Sequence, residues 1–580
     1  MDVQTLAAAL AIGEKRRQDI VADGYSPDET YVLGSIVMYK GALYECTTEV
    51  STPETWNPEH WTQRTIEYYL QQMTTESVRF GVSGVGGSNV ALTRLWDSVD
   101  MGTPTPGTDT VPGSSAFDNY APFNRKKCVG SWALVDGKAV FTVNAYYGDP
   151  DYTEDGTNGN YVAVEVDPFY YFEGGGILGV STHQYPGWRI HPVCVDYDGN
   201  VREHTYLPCY QVSLKDGIPV SLPGSYPENG SYSQLMTKLR GYSNDLKNHV
   251  ILEPSAANHY EWLLYTIEFA TQNCQAIMQG ASRMRHGDDM IVAVPASNKI
   301  VMTKSIAQNY VLGQTIEFTT AIWNNPVPST AFCQIMAMEL CDEDGTPNAA
   351  GSHYLVTYSG DDRSSAITIG SHRCVSRAWV CGATQGYAPG VPPVLGHTGS
   401  PVSNTSGKYP CVYRYRENVF GNQNLTSMDL FDVRVDEGNE VYHLEWYLLE
   451  DPRKWAPYAT KNPDLADLQN PDKGFRKLTV ITPSSSYANG YIVAEDADPN
   501  FPYIHIPVKT PGGSASTHTC DYAYLVNGNV VRSVRRGGHP YDGSYVGFRC
   551  VSAYDAPSSG NWYYGGGLTP RPVLTWPLMR

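Results

Sequence analysis

Arg536-Gly537-Gly538-His539-Pro540-Tyr541-Asp542-Gly543-Ser544-Tyr545 and Ser552-Ala553-Tyr554-Asp555-Ala556-Pro557-Ser558-Ser559-Gly560-Asn561-Trp562-Tyr563-Tyr564-Gly565 stand near the end of a 580-residue chain. Tyr, Ser, Asp, Asn and His fill almost every position that Gly and Pro leave. Tyr offers a large rigid face with a polar tip at low entropic cost, and Ser, Gly and Asn add adaptable hydrogen bonding, the mixture found in recognition loops. An ordinary Tyr/Gly-rich surface loop has the same composition. The spacing favours recognition, with contacts expected from His539, Tyr541, Asp542, Ser544, Tyr545, Ser552, Tyr554, Asp555, Ser559, Asn561, Tyr563 and Tyr564. Arg536, Gly537, Gly538, Ala556, Pro557 and Trp562 would then form the fixed frame.

Val534-Arg535-Arg536-Gly537-Gly538, followed by Gly547-Phe548-Arg549-Cys550, resembles the closing motif of the C-type-lectin fold in its formylglycine-generating-enzyme-like branch. Tyr554 to Gly565 is similar to the end of variable proteins targeted by diversity-generating retroelements, whose pattern is Asn-Asn-Ala-Pro-Ser-Asn-x-Asn-Trp-Asn with randomised Asn positions. Tyr554, Asp555, Ser559 and Tyr563 stand at such positions, and adenine mutation of an Asn codon yields these residues. Tyr146–Gly156, Val164–Tyr171 and Gly187–Pro192 resemble the opening strands of the lectin-type domain in phage tail and fibre proteins. Glu261–Asn273 looks like one of its core helices. Tyr413-Arg414-Tyr415-Arg416-Glu417-Asn418-Val419-Phe420-Gly421-Asn422 matches its central Arg-x-x-Glu-Asn-x-x-Gly-Asn segment. The resemblance covers about 121–580 and implies a phage virion protein, of tail or head fibre or baseplate, that attaches to a bacterial surface receptor, protein or glycan. It also implies a homotrimer, assembled in the host cytoplasm and carried on the virion.

Composition sets the outer limits. A chain this long exceeds one ordinary core, and 41% hydrophobic residues mark a globular protein. Lys and Arg number 41 against 60 Asp and Glu, a formal charge of −19 that opposes binding to nucleic acid or anionic membrane. Tyr outnumbers Phe by 42 to 14, an excess suited to wet interfaces as well as sheets. The 12 cysteines show no CxxC pair and no metal-ligand rhythm, and read as small buried apolar side chains rather than a disulfide framework. Met1-Asp2-Val3-Gln4 lacks the basic start of a signal peptide, and no run is apolar enough to span a bilayer.

The expected architecture is α+β and β-rich. Residues 1–24 carry an amphipathic helix over 3–20 for attachment to other virion proteins or for oligomerisation, or else simply packed. Residues 25–66 form a small β module with a tight hairpin turn at Lys40-Gly41. This module looks like the small carbohydrate-binding module of chitinases, where Tyr31, Tyr44, Trp56 and Trp61 would stack on sugars; a module so small also needs those rings for its core. Residues 67–120 read as a Gly/Ser/Pro-rich linker. Residues 121–580 form the lectin-like domain, with a helix at about 256–281 ended by Gly280. A β insertion occupies about 295–400, with clear strands at Thr315–Trp323 and His353–Tyr358, and the recognition loops fall in 536–567.

Features that imitate catalysis fail on inspection. Asp151–Gly156 has partial calcium-loop spacing, but Val162 stands where the bidentate Glu belongs. Gly174-Gly175-Gly176 and Gly565-Gly566-Gly567 lack the Lys-Ser/Thr of a phosphate cradle. His286-Gly287-Asp288-Asp289 and Ser359-Gly360-Asp361-Asp362 read as solvated acidic turns. After Gly537-Gly538 the reactive cysteine of formylglycine-generating enzymes is missing, and Cys550 belongs to a separate strand motif. His259 is followed by Leu263 and Tyr265 where sulfoxide-synthase relatives hold iron with His and Glu. A non-enzymatic binding scaffold is therefore expected, with no cofactor and no metal; the rival is a structural capsid or tail decoration protein without host contact.

Overall fold

The computed structural model describes residues 24–32, 35–64, 78–105, 114–135, 138–196, 199–238, 250–282, 290–320, 333–385, 407–438, 441–450, 454, 458, 460–484, 489–525, 531–566 and 568–570. Strand far outweighs helix, and the strands fall into several sheets. The helix expected over 3–20 lies outside the described residues.

The N-terminal module is a three-stranded antiparallel sheet of Ile36–Tyr39, Ala42–Cys46 and Trp61–Arg64. Its hairpin turns at Lys40 (φ 49°) and Gly41 (φ 80°), the left-handed pair that matches strand twist. Tyr31, Val37, Cys46, Val50 and Trp61 are buried, with Tyr25, Tyr44 and Trp56 packed against them. Trp56 stacks on Tyr39 at 3.8 Å and on Trp61 at 5.2 Å. Burial takes Tyr31 and Trp61 away from the expected sugar platform and leaves Tyr44 and Trp56 half-buried. A module this small has no other apolar volume to fold around.

Two segments of the expected linker are strands. Arg79–Ser83 and Thr93–Trp96 continue a five-stranded sheet in the order Arg189–Ile190, Tyr170–Gly174, Ile177–Ser181, Arg79–Ser83, Thr93–Trp96. Phe80 and Val82 are fully buried on one face. On the other, Gly81 and Gly179 pair across the strands and seat Trp96 and Trp188. A Cβ on Gly81 would lie 2.4 Å from the Trp96 ring. Phe117 joins the core from a short turn, Ala116–Asn119, closed by a capping box at Ser115 and Asp118.

Beside it lies a four-stranded sheet ordered Thr205–Pro208, Tyr161–Val166, Lys126–Val135, Lys138–Tyr146. The helix Ser255–Phe269 runs through the middle of the molecule, and every side chain but Asn258 is buried. It stops well short of 281 because Ala270 turns left-handed (φ 50°). Gln272 then spends its amide on the 86–89 loop, accepting from Gly86 N at 2.8 Å and donating to Gly87 O at 3.0 Å and Asn89 O at 2.8 Å.

Buried ion pairs fasten this helix to the Arg-x-x-Glu-Asn segment. Arg414 donates through Nε and Nη2 to the two Glu268 oxygens at 2.8 and 2.6 Å. Arg416 Nη1 reaches Glu261 Oε1 at 2.7 Å, and Arg125 Nη2 reaches Glu261 Oε2 at 2.7 Å. Arg414, Tyr415 and Asn418 all hold positive φ, so the chain bends sharply to present them. Each charge has its partner, as burial at this depth demands.

The expected β insertion has a core of its own. Its six strands are ordered Ala293–Ala296, Lys299–Thr303, His353–Tyr358, Cys333–Cys341, Thr315–Thr319, Arg373–Ser376. The last sheet carries the chain end: Phe475–Pro483, Val441–Leu449, Asn424–Gly438, Arg532–Gly537, Gly547–Ala553, Tyr522–Leu525 and Gly490–Tyr491, with Tyr564–Gly565 parallel to the start of Asn424–Gly438. All 12 cysteines are buried free thiols, as read from their spacing.

Candidate functional site

Arg532–Gly537 and Gly547–Ala553 are adjacent antiparallel strands, and the recognition loops leave from their ends. Gly537 (φ 86°) and Gly538 (φ 74°) turn the chain outward; a Cβ on Gly538 would meet Val546 at 2.7 Å. Arg536 is buried, donates to His505 O at 3.3 Å, and is pulled by burial down to about 10. All three are held in place by their neighbours. Trp562 is placed differently. It is half-buried in the face itself, 4.8 Å from the Arg377 guanidinium, with Tyr541 and Tyr563 each 5.3 Å away.

Most of the expected contact residues come together. Tyr541 donates to Ser376 O at 2.5 Å and accepts from Arg377 Nη1 at 3.3 Å. His539 packs 4.4 Å from Tyr563, and its amide donates to Asp542 Oδ2 at 2.9 Å. Tyr524 donates to the other Asp542 oxygen at 3.3 Å. Tyr545 stacks on Tyr522 at 4.1 Å, and Ser544 Oγ lies 2.8 Å from the Tyr491 hydroxyl. A continuous band of half-buried rings results, from Tyr491 through Asp542 to Trp562.

At the other end of these loops, Tyr554 is 51% exposed. Asp555, Ser559 and Asn561 are half-buried and largely committed inward. Asp555 accepts from Tyr564 and lies 3.6 Å from Arg535; Ser559 O accepts from Arg535 at 3.4 Å; Asn561 Oδ1 accepts from the Trp562 amide at 2.8 Å. Two expected contacts are internal. Ser552 is buried between strands that pair with it on both sides. Tyr564 is buried under the Arg535 guanidinium, 3.6 Å from its ring.

Burial pushes the Tyr541, Tyr524 and Tyr563 hydroxyls above their ordinary value and pulls His539 below its own. The face is therefore one of neutral phenols and a neutral imidazole, each able to donate and accept. Arg377, paired with Glu317 of the six-stranded sheet, brings a cation to it. Sequence reading missed Arg377, Tyr491, Tyr522 and Tyr524. The alternation Tyr522-Ala523-Tyr524-Leu525 does signal a strand with two rings on one face; nothing local marks Arg377.

Three of the segments weighed for catalysis make structural contacts. Glu154 of the calcium-like loop is buried and taken by Lys127, Tyr152 and Tyr210. Asp362 accepts from the amides of Asn298 and Ser364, closing a turn. Gly175 (φ 58°) and Gly176 (φ 75°) make the hairpin between Tyr170–Gly174 and Ile177–Ser181. His286–Asp289 and Gly567 lie outside the described residues, and among those described no helix is long and apolar enough to cross a membrane. No family model matches the chain, and no curated protein matches it.

Proposed function

We propose that the chain is a phage virion protein, of fibre or tail, whose C-type-lectin-like region 121–580 grips a receptor on the bacterial host through the band around Tyr541, Tyr545, Tyr554, Trp562 and Tyr563. One observation carries this reading: rings are held half-buried on a sheet whose own arginines and glycines are locked. Side chains already fixed by neighbours lose little freedom on binding, so their contact area converts well to affinity. The Gly537-Gly538 turn and the buried Arg414–Glu268 clasp also suit a rigid frame carrying exchangeable residues. Linked copies, three in the homotrimer that the resemblance implies, turn weak contacts into firm attachment. The region before residue 25 would join other virion proteins.

The purified chain, added to host cells ahead of the particle that carries it, is expected to block adsorption. A decoration protein would not block. Labelling Tyr554→Cys on the intact particle separates the two further: attachment needs the label accessible, whereas packing against neighbouring subunits would bury it.

A further inference from the structure

Glu173, His259 and His505 come from a strand, the central helix and the loop before Ile506–Lys509, yet their donor atoms all lie within 4.8 Å of one another. His259 Nε2 is 3.0 Å from Glu173 Oε2, and His505 Nε2 is 2.7 Å from Glu173 Oε1. The His505 side chain is 8% exposed, and its Nε2 makes no hydrogen bond of proper angle. Glu173 and His505 face a cavity of about 370 Å³, walled also by Trp262, Glu495, Arg549 and the Gly174–Gly176 hairpin.

We propose that this triad binds a divalent transition ion of the zinc type. Two imidazoles and one carboxylate are the ligand set of open zinc sites, with a fourth position left for water or an exogenous ligand. Here that position faces the cavity. Ligands about 2.0–2.2 Å from a tetrahedral ion stand ~3.3 Å apart; the three donor atoms lie within 4.8 Å of one another, so the triad need only draw together onto the ion, with one Glu173 oxygen as ligand. His191 supplies the outer partner such a histidine requires, its Nε2 lying 2.9 Å from His259 Nδ1.

Without metal, the Val193 amide donates to His191 Nδ1 at 3.2 Å, which leaves the His191 proton on Nε2 and sends the His259 proton from Nε2 to Glu173. On ligation the shared proton moves to His259 Nδ1, and His191 takes up at Nδ1 the proton displaced from His259 Nε2. The long Val193 bond is given up, and the proton that His505 Nε2 shares with Glu173 must likewise leave that atom, for His505 Nδ1 or for solvent. His191 is a positioning residue. A second cluster, Glu165, Asp167 and His204, is weaker, because Glu165 already binds Lys126, Tyr146 and Tyr206.

The test is calorimetric titration of the full chain, stripped by chelator, with zinc chloride. One saturable site per chain and a higher melting temperature are expected. His505→Gln and Glu173→Gln should each weaken binding by at least ~10-fold, a loss on the scale of outer-partner removal or larger, while His204→Ala changes nothing. His505→Ala replaces the glutamine variant should that fail to melt cooperatively in chelator. No saturable binding, binding indifferent to both triad substitutions, or binding lost only in His204→Ala would each overturn the proposal.

Discussion

Arg414 and Glu268 share two hydrogen bonds where neither side chain reaches water. Removing one partner strands the other, so Arg414→Ala should lower the unfolding free energy by about 3–5 kcal/mol. Arg414→Lys should restore only part of that, since an ammonium cannot match the fork; urea unfolding of the three chains checks both. Glu417 is pushed up to about 7 by burial, which outweighs the donors it meets from Gly382 and Thr384. A carboxyl raised when folded contributes fully below its unfolded value of 4.5 and loses that contribution as pH climbs through about 7. Stability should therefore fall over that window by up to roughly 3 kcal/mol on this account, and Glu417→Gln should flatten the slope in melts at successive pH values.

Among the elements, those that obey local rules could be read directly. Lys40-Gly41 between alternating runs gave the hairpin, and His353–Tyr358 gave a strand with the same ends. Arg79–Ser83 could not be read, because its glycine serves as the seat of a distant indole, a tertiary use that looks locally like flexibility. The difference is measurable. Gly81→Ala should cost about 1–3 kcal/mol through overpacking against Trp96, while Gly102→Ala, with open space around its Cβ position, should stay within about 0.5 kcal/mol. The candidate site divides the same way. Composition singled out the loops, but the inward turn of Ser552 and Tyr564 follows from strand alternation and Arg535, and Arg377 arrives from just beyond the strand Arg373–Ser376, far away in sequence. Arg377→Ala should weaken cell binding by roughly 0.5–2 kcal/mol, the worth of its ring contact with Trp562.

For the molecule as a whole, a charge of −19 gives no electrostatic attraction to an anionic cell envelope, and the proposed face consists largely of neutral rings. Adsorption should accordingly change by no more than about twofold between ~50 and ~200 mM salt, where binding driven by many charge contacts would fall steeply. The most direct measurement compares adsorption to host cells of the wild-type chain and the Tyr554→Ala/Tyr563→Ala variant, alongside their melting curves. A rigid frame with exchangeable contacts predicts adsorption lost by an order of magnitude or more and a melting temperature within a few degrees of wild type. Undiminished adsorption by a fully folded variant would contradict it.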